Sequence, residues 1–229
     1  MSSINLGRHN RINSNGQLML RWRWVKANSL AELVGLGLTA FLSVVAFSYW
    51  ENVHPIWIAV IMILAGTLLE GVFVGYVQWQ VLKNHLQGLS LKAWATATAV
   101  GAGIAWSLGM IPSTLLGLAD AGDAGQPMPE ISAWLMLFLA AMMGLLLGPV
   151  LGMPQWWILR RHVKRAGWWI PANALAWMAG MVVIFAASDR LPAGSSYALI
   201  LLTIAGTLVI AGALVGAIHG LFLLWLLGD

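Results

Sequence analysis

The sequence predicts an all-α integral membrane protein with about six transmembrane helices, and three observations support this. Of its 229 residues, 60% are hydrophobic and only 9% are charged, whereas soluble domains carry roughly 25% charged residues. The apolar residues form runs long enough to cross a hydrocarbon core, which takes about 20 helical residues. The basic residues gather in alternate loops, as in chains that cross a membrane repeatedly. Lipid is therefore the expected solvent for most of the surface.

The predicted helices follow the apolar runs in chain order. Residues 1–30 form a polar cytoplasmic N-terminus ending in a basic and aromatic segment at the headgroup layer, and residues 31–229 form the six-helix transmembrane domain. Pro112 stops or kinks the third helix, and two prolines kink the fourth. The expected spans run from Ala31 to Tyr49, Ile56 to Leu82, Trp94 to Ile111, Ser132 to Leu159, Trp169 to Ser188 and Ala198 to Leu227.

The distribution of positive charge predicts the orientation. Eleven of the 12 Lys and Arg residues lie before the first helix or in the second and fourth connections, and only Arg190 lies in another loop. The positive-inside rule therefore places both termini in the cytoplasm, in the cytoplasmic (inner) membrane. Anionic lipid and topology explain the net charge of +4, so we expect no nucleic-acid partner. The opposite loops hold Glu51, Asp120, Asp123, Glu130 and Asp189.

An internal repeat is the most specific signal in the chain. The second helix ends in GVFVGYVQWQVLKNH and the fourth ends in GPVLGMPQWWILRRH. The last helix carries a weaker copy, GALVGAIHGLFL, in which His219 takes the place of the glutamine. We therefore expect three repeated helical hairpins of the same orientation. The matched glycines are Gly71 and Gly75, Gly148 and Gly152, and Gly212 and Gly216.

The spacing of the repeat predicts close helix packing. Its glycines and the polar residue after them share one helix face. Paired glycines let a second helix backbone approach closely, which drives helix association in lipid. Gln78, Gln155 and His219 lie one turn further on, where they can form hydrogen bonds across the contact. Tryptophans near the span ends predict an aromatic belt, formed by Trp50, Trp57, Trp79, Trp94, Trp156, Trp157, Trp168 and Trp169.

The G-x-x-x-G-x-x-Q-W-x-x-L-[KR] segments, with a glycine-rich last helix ending in LLWLL, support a resemblance. The chain resembles a group of uncharacterised bacterial polytopic membrane proteins, frequent in cyanobacteria, that repeat a Gln-Trp element. The resemblance covers mainly the second, fourth and sixth helices. His219 departs from the small hydroxyl residue expected at its position. The resemblance implies the membrane fold and no particular activity.

The sequence gives no sign of an enzyme or of a metal site. Because the chain has no cysteine, thiolate metal sites, iron–sulfur clusters and cysteine nucleophiles are excluded. It contains no P-loop, no G-x-S-x-G elbow and no H-E-x-x-H motif. Acidic residues outside the spans are scattered, and clustered intramembrane polar groups are sparse. We therefore expect no catalytic residues and no bound metal.

Two ionisable residues are expected deep within the predicted spans. Glu70 is the one acid expected deep in a span, either as a proton or cation site or as a carboxyl bonded to a neighbouring helix. Its suggested partners are Trp106, Ser107 and Asn173. His219, among small residues, suggests either the axial ligand of a pigment or a helix-contact residue in place of glutamine. Because Glu70 precedes Gln78 by eight residues, it should lie about 12 Å deeper and should not pair with His219.

Three functions remain open on this evidence. The first is a non-enzymatic structural subunit or assembly factor of a membrane complex, with other membrane subunits as partners. The second is a small-solute or ion transporter or channel that uses Glu70. The third is a subunit that binds a chlorophyll-type pigment, a quinone or a lipid through His219 and the aromatic residues.

Overall fold

The computed structural model describes residues 14–49, 53–120, 132–188 and 194–228, and these ranges contain helices and no strands. Six helices are long and apolar enough to cross a membrane, which confirms the prediction of a multi-pass membrane protein. Two of the six contain a π-helical turn. The first, α1, comprises Ser14–Ala31, the π-helical Glu32–Leu36 and Gly37–Tyr49. The second, α2, comprises Pro55–Ala65, the π-helical Gly66–Gly71 and Val72–Leu82. The remaining helices are α3, Leu91–Asp120; α4, Ala133–Leu159; α5, Trp169–Ser188, which follows a 3₁₀ turn Ala166–Trp168; and α6, Tyr197–Leu227.

The first helix begins at Ser14 and not near Ala31, so residues 14–30 belong to it. In these turns Arg23 and Lys26 are exposed, whereas Leu20 and Trp24 are buried against other helices. The basic residues lower the hydropathy of this segment, so the apolar run used for the prediction begins only near Ala31. Several residues used to predict the loops lie outside the described ranges, namely Arg8, Arg11, Glu51, Asp123, Glu130, Asp189 and Arg190.

The third helix continues through Pro112 to Asp120, so this proline does not stop it. A proline breaks the helical hydrogen-bond ladder because it has no N–H. Beside the break, the Ser113 hydroxyl donates to the carbonyl oxygens of Gly109, at 2.8 Å, and Met110, at 3.1 Å. Serine hydroxyls commonly supply such bonds next to prolines in membrane helices.

The six helices form a closed ring in chain order, in which each helix contacts the next and α6 contacts α1. At the end where α2, α4 and α6 finish, an apolar cluster joins all six helices. Trp94 and Trp169 are completely buried in this cluster, so they belong to the core and not to an aromatic belt. At the same end, burial, with the charge of Arg23 as a smaller cause, lowers the pKa of His85, which keeps this imidazole neutral at pH 7.

The repeat glycines lie at close approaches between helix backbones. A methyl group on Gly71 would lie 2.7 Å from the Cα atom of Ala99, so α2 packs tightly on α3. Gly148 approaches Ala174 in the same way, at 2.6 Å, and thereby joins α4 to α5. Gly212 approaches Ser29, at 2.8 Å, and joins α6 to α1. In lipid, such close contacts supply much of the attraction between helices.

We predict that Gly148→Ala destabilises the protein by about 1–3 kcal/mol, because the new methyl group meets the α5 backbone and the helices must separate. Gly109→Ala in α3 is the matched control, since its methyl group meets open space. That control should be neutral or stabilising by up to about 1 kcal/mol. Thermal unfolding in detergent, followed by tryptophan fluorescence, measures both changes. Equal melting temperatures for the two variants would contradict the assignment of this contact.

The predicted orientation can be tested by cysteine labelling, because the chain has no cysteine of its own. Gln87 and Gly167 are exposed in the two basic connections, whereas the adjacent Ala166 is buried and unsuitable. Single cysteines at these two exposed positions should resist a membrane-impermeant maleimide in intact cells, and a cysteine at Ser195 should react. Reaction at Gly167→Cys in intact cells would reverse the orientation.

Candidate functional site

A tryptophan and a polar residue four positions later recur in α1, α3 and α5. The three segments are WVKAN, WATAT and WIPAN, so they share the pattern W-x-x-A-[NT]. The polar side chains of Asn28, Thr98 and Asn173 each donate to the carbonyl oxygen of the tryptophan one turn earlier. These bonds measure 2.8 Å to Trp24, 2.9 Å to Trp94 and 2.8 Å to Trp169. Each polar group is thereby fixed at the inner side of its helix.

Gln78 links α2 to both of its neighbours in the ring. Its side-chain nitrogen donates to Asn28 Oδ1 at 3.0 Å, and its Oε1 accepts from the Trp94 indole at 3.3 Å. Gln78 is 3% exposed, so the two bonds satisfy an amide that is cut off from solvent.

Gln155 repeats this arrangement one pair of helices further on. It donates to Thr98 Oγ1 at 2.9 Å and accepts from the Trp169 indole at 2.9 Å. It also donates to Gln78 Oε1 at 3.0 Å, which joins the two sets into one network. The sequence marked both glutamines as helix-contact residues, and in the structure they lie in direct contact.

His219 holds the third equivalent position without the corresponding bonds. It is 2% exposed and stacks on the Trp169 indole, with ring centroids 4.9 Å apart and planes inclined by 29°. Within the described residues, neither of its ring nitrogens has a hydrogen-bond partner, and the Trp24 indole N–H has none either. His219 therefore does not pair with Glu70, which agrees with the prediction that these two residues would not pair.

Two buried carboxyl groups lie on the facing π-helical turns of α1 and α2. Glu32 begins one turn, and Glu70 lies in the other. The turns are in contact: a methyl group on Gly35 would lie 3.0 Å from the Glu70 Cα atom. One Glu70 oxygen accepts from the Trp106 indole at 2.9 Å, which was one of the three suggested partners. The Oε2 atom of Glu32 has no partner among the described residues.

The expectation that Glu70 is the only acid at its depth was therefore wrong. Glu32 is the second residue of the span predicted from Ala31 to Tyr49, whereas the helix itself begins at Ser14. A π-helical turn holds an extra residue, so it also shifts side chains off the regular helical faces. No ion pair forms at either acid within the described part of the chain.

These groups surround a cavity of about 30 Å³ at the centre of the ring. A cavity of 10–15 Å³ holds about one water molecule, so this one has room for about two. Its polar lining comes from every helix in the ring, and its remaining walls are aliphatic, glycine and tryptophan side chains. The polar residues are Asn28, Glu32, Glu70, Gln78, Thr98, Gln155, Asn173 and His219.

The cavity does not fit a pigment ligated by His219. A macrocycle is far larger than 30 Å³, and the small residues beside this histidine leave no other space. The region beside these small residues is occupied by α1. A methyl group on Gly216 would lie 3.0 Å from Val25 Cα, and one on Gly220 would lie 3.4 Å from Arg21 Cγ. The described residues also contain no group of three His, Asp or Glu side chains placed to hold a metal ion.

Sequence reasoning missed Glu32 and the tryptophan–amide pairs, although a signal for the pairs was present. The pattern W-x-x-A-[NT] occurs in each odd-numbered helix, and its alanines Ala27, Ala97 and Ala172 are all buried. The glycine repeat recognised in the sequence lies in the even-numbered helices, so it does not include this pattern. Glu32 had no comparable signal.

No protein-family model, curated protein or solved structure matches this chain. The function must therefore be argued from the geometry of the cavity and from the chemistry of the residues around it.

We predict that Gln155→Leu costs about 2–3 kcal/mol of stability. The substitution removes the acceptor of the buried Trp169 N–H and the donor to Gln78 and Thr98, and an unpaired buried donor costs about 1–3 kcal/mol. Gln87→Leu, in an exposed loop, is the control and should change stability by less than about 0.5 kcal/mol. Chemical unfolding in mixed micelles measures both variants. Similar losses for the two would show that the network adds no stability.

Proposed function

We propose that the chain is a membrane transport protein for protons or a small cation, with Glu32 and Glu70 as its ion-binding groups. One observation carries the proposal: two buried carboxyl groups on adjacent helices line the same polar cavity. Isolated charges are costly in the membrane interior, so ionisable groups there commonly mark ion pathways. A pair of acids without a basic partner favours binding of a positive ion.

The backbone around the acids supports the same proposal. Both acids occupy π-helical turns, which are rare and occur frequently at functional sites. Gly66 makes room for Trp106, since a side chain at this position would overlap the indole that donates to Glu70. Glycine and a π-helical turn therefore act together to position this carboxyl group.

We further propose that the ring consists of three copies of one hairpin, with both termini in the cytoplasm. In chain order the copies are α2–α3, α4–α5 and, through ring closure, α6–α1. The glycine contacts support this, because Ala99, Ala174 and Ser29 each follow a W-x-x-A-[NT] tryptophan by five residues. Transporters are often built from such internal repeats, with the binding site between them.

The test is proton uptake by liposomes that contain the purified protein. With an internal pH dye and an imposed membrane potential, the wild type should take up protons faster than empty liposomes. Glu32→Gln and Glu70→Gln should each lower the rate at least about tenfold, because an amide cannot bind and release a proton. Asp120→Asn, which removes a charge at the end of α3, is the matched control and should retain the rate.

The same experiment with a Na⁺ gradient identifies the ion. Sodium-dependent uptake that is lost in the two glutamine variants would indicate a cation site instead of a proton site. Folding must be intact for either conclusion, so the melting temperature and the gel-filtration profile of each variant are measured in parallel. Wild-type rates equal to those of empty liposomes would overturn the transport proposal.

A non-enzymatic subunit or assembly factor is the second candidate function. The hydrogen-bonded Gln78–Gln155 network and the small cavity favour a rigid scaffold. Purification from its native membrane in a mild detergent separates the candidates. A stable, stoichiometric partner together with absence of ion uptake supports the scaffold.

A further inference from the structure

The third hairpin differs from the other two in the chemistry of one side chain. In the first two, a tryptophan N–H donates to a glutamine oxygen across the glycine contact. With His219 at the third position, the Trp24 N–H and both imidazole nitrogens lack partners within the described residues. Burial of an unpaired polar group is destabilising, so a fold that contains several needs another source of hydrogen bonds.

The cavity at the centre of the ring has room for water, which can supply these hydrogen bonds. His219 and Glu32, whose Oε2 atom also lacks a partner in the described chain, line the same space of about 30 Å³. Buried waters occupy polar cavities of this size when two to four polar groups can bind them. Glu32 Oε2 and an imidazole nitrogen provide two such groups, and the neighbouring amides and hydroxyl provide others.

We propose that the cavity binds one or two water molecules that bridge Glu32 and His219, and that His219 exchanges protons with the carboxyl groups through them. The inference rests on the proposed transport function and names the proton as its ion. Imidazole both donates and accepts a proton, whereas a hard cation such as Na⁺ prefers a complete set of oxygen ligands.

The proton transfer is balanced in each direction. A protonated imidazole gives a proton from a ring nitrogen to the bridging water, and the water passes one of its own protons to Glu32 Oε2. One N–H bond breaks, one carboxyl O–H bond forms, and the water is restored without a change in oxidation state.

The charged groups around His219 come from two helices. α1 contributes Glu32 and, beside Gly220, Arg21, and α2 contributes Glu70. The groups from α3, α4 and α5 are neutral: Thr98, Gln155, Asn173 and the Trp169 indole on which the imidazole stacks. The carboxyl groups that could exchange a proton with His219 therefore lie on α1 and α2.

Solid-state NMR of the full-length protein in bilayers tests the water site directly. The protein is labelled with ¹⁵N-histidine, and the signals that disappear in His219→Gln are assigned to His219. Magnetisation transferred from water should reach this imidazole as strongly as it reaches an exposed imidazole. A His219 signal that receives no magnetisation from water would overturn the water site, whether or not the protein transports protons.

Liposome measurements test the proton exchange. His219→Gln supplies the residue found at the two equivalent positions, so it should keep or raise the melting temperature while lowering proton uptake about tenfold. His162→Gln, at the basic end of the ring, is the control and should keep the wild-type rate. His219→Asn, a smaller amide, replaces the first variant if that one does not fold.

The outcomes separate this inference from the proposed function. Normal proton uptake by a folded His219→Gln variant, together with loss of uptake in Glu32→Gln, would overturn the role of His219 and retain the transport site. Absence of uptake by the wild type would remove the transport proposal itself, and the NMR experiment would still decide whether water occupies the cavity.

Discussion

The structure depends on one constraint: a polar group inside a membrane must find its hydrogen-bond partner within the protein. Gln78 and Gln155 meet this constraint by bonding to tryptophan indoles and to polar side chains on neighbouring helices. Because each amide connects three helices, the network specifies how the ring is assembled. Apolar contacts alone would specify it weakly, since lipid chains solvate leucine as well as another helix does.

The glycine contacts make this network possible. Side-chain hydrogen bonds of about 3 Å between helices require the backbones to lie close together, and only glycine permits that approach at Gly71, Gly148 and Gly212. The geometry is the same in each case, because the contact lies at the residue directly after the polar residue of the W-x-x-A-[NT] pattern. Close packing and polar bonding therefore support each other: a bulky residue at the glycine would also stretch the amide bonds.

The number of helices and the ends of α5 and α6 could be predicted because they depend on apolar length alone. The importance of Gln78, Gln155 and His219 could also be predicted, because a repeat marks positions under a shared packing constraint. The start of α1 could not be predicted, because the exposed Arg23 and Lys26 lower the hydropathy of a segment whose other side, with Trp24, is buried. The π-helical turns were equally inaccessible, because they depend on contacts between helices and not on a local sequence pattern. Without the π-helical turns, the buried position of Glu32 could not be predicted.

A scaffold would have a simpler solution at the third position. Glutamine there would complete the third set of bonds, and a neutral side chain in place of Glu32 would remove a buried carboxyl oxygen that has no partner in the described part of the chain. The chain instead retains two acids and an imidazole around a cavity the size of two water molecules, at a cost in stability that the bonded Gln78 and Gln155 avoid. Such a local cost is common where structure serves function. The asymmetry of the ring is therefore the strongest physical reason to place ion chemistry at its centre.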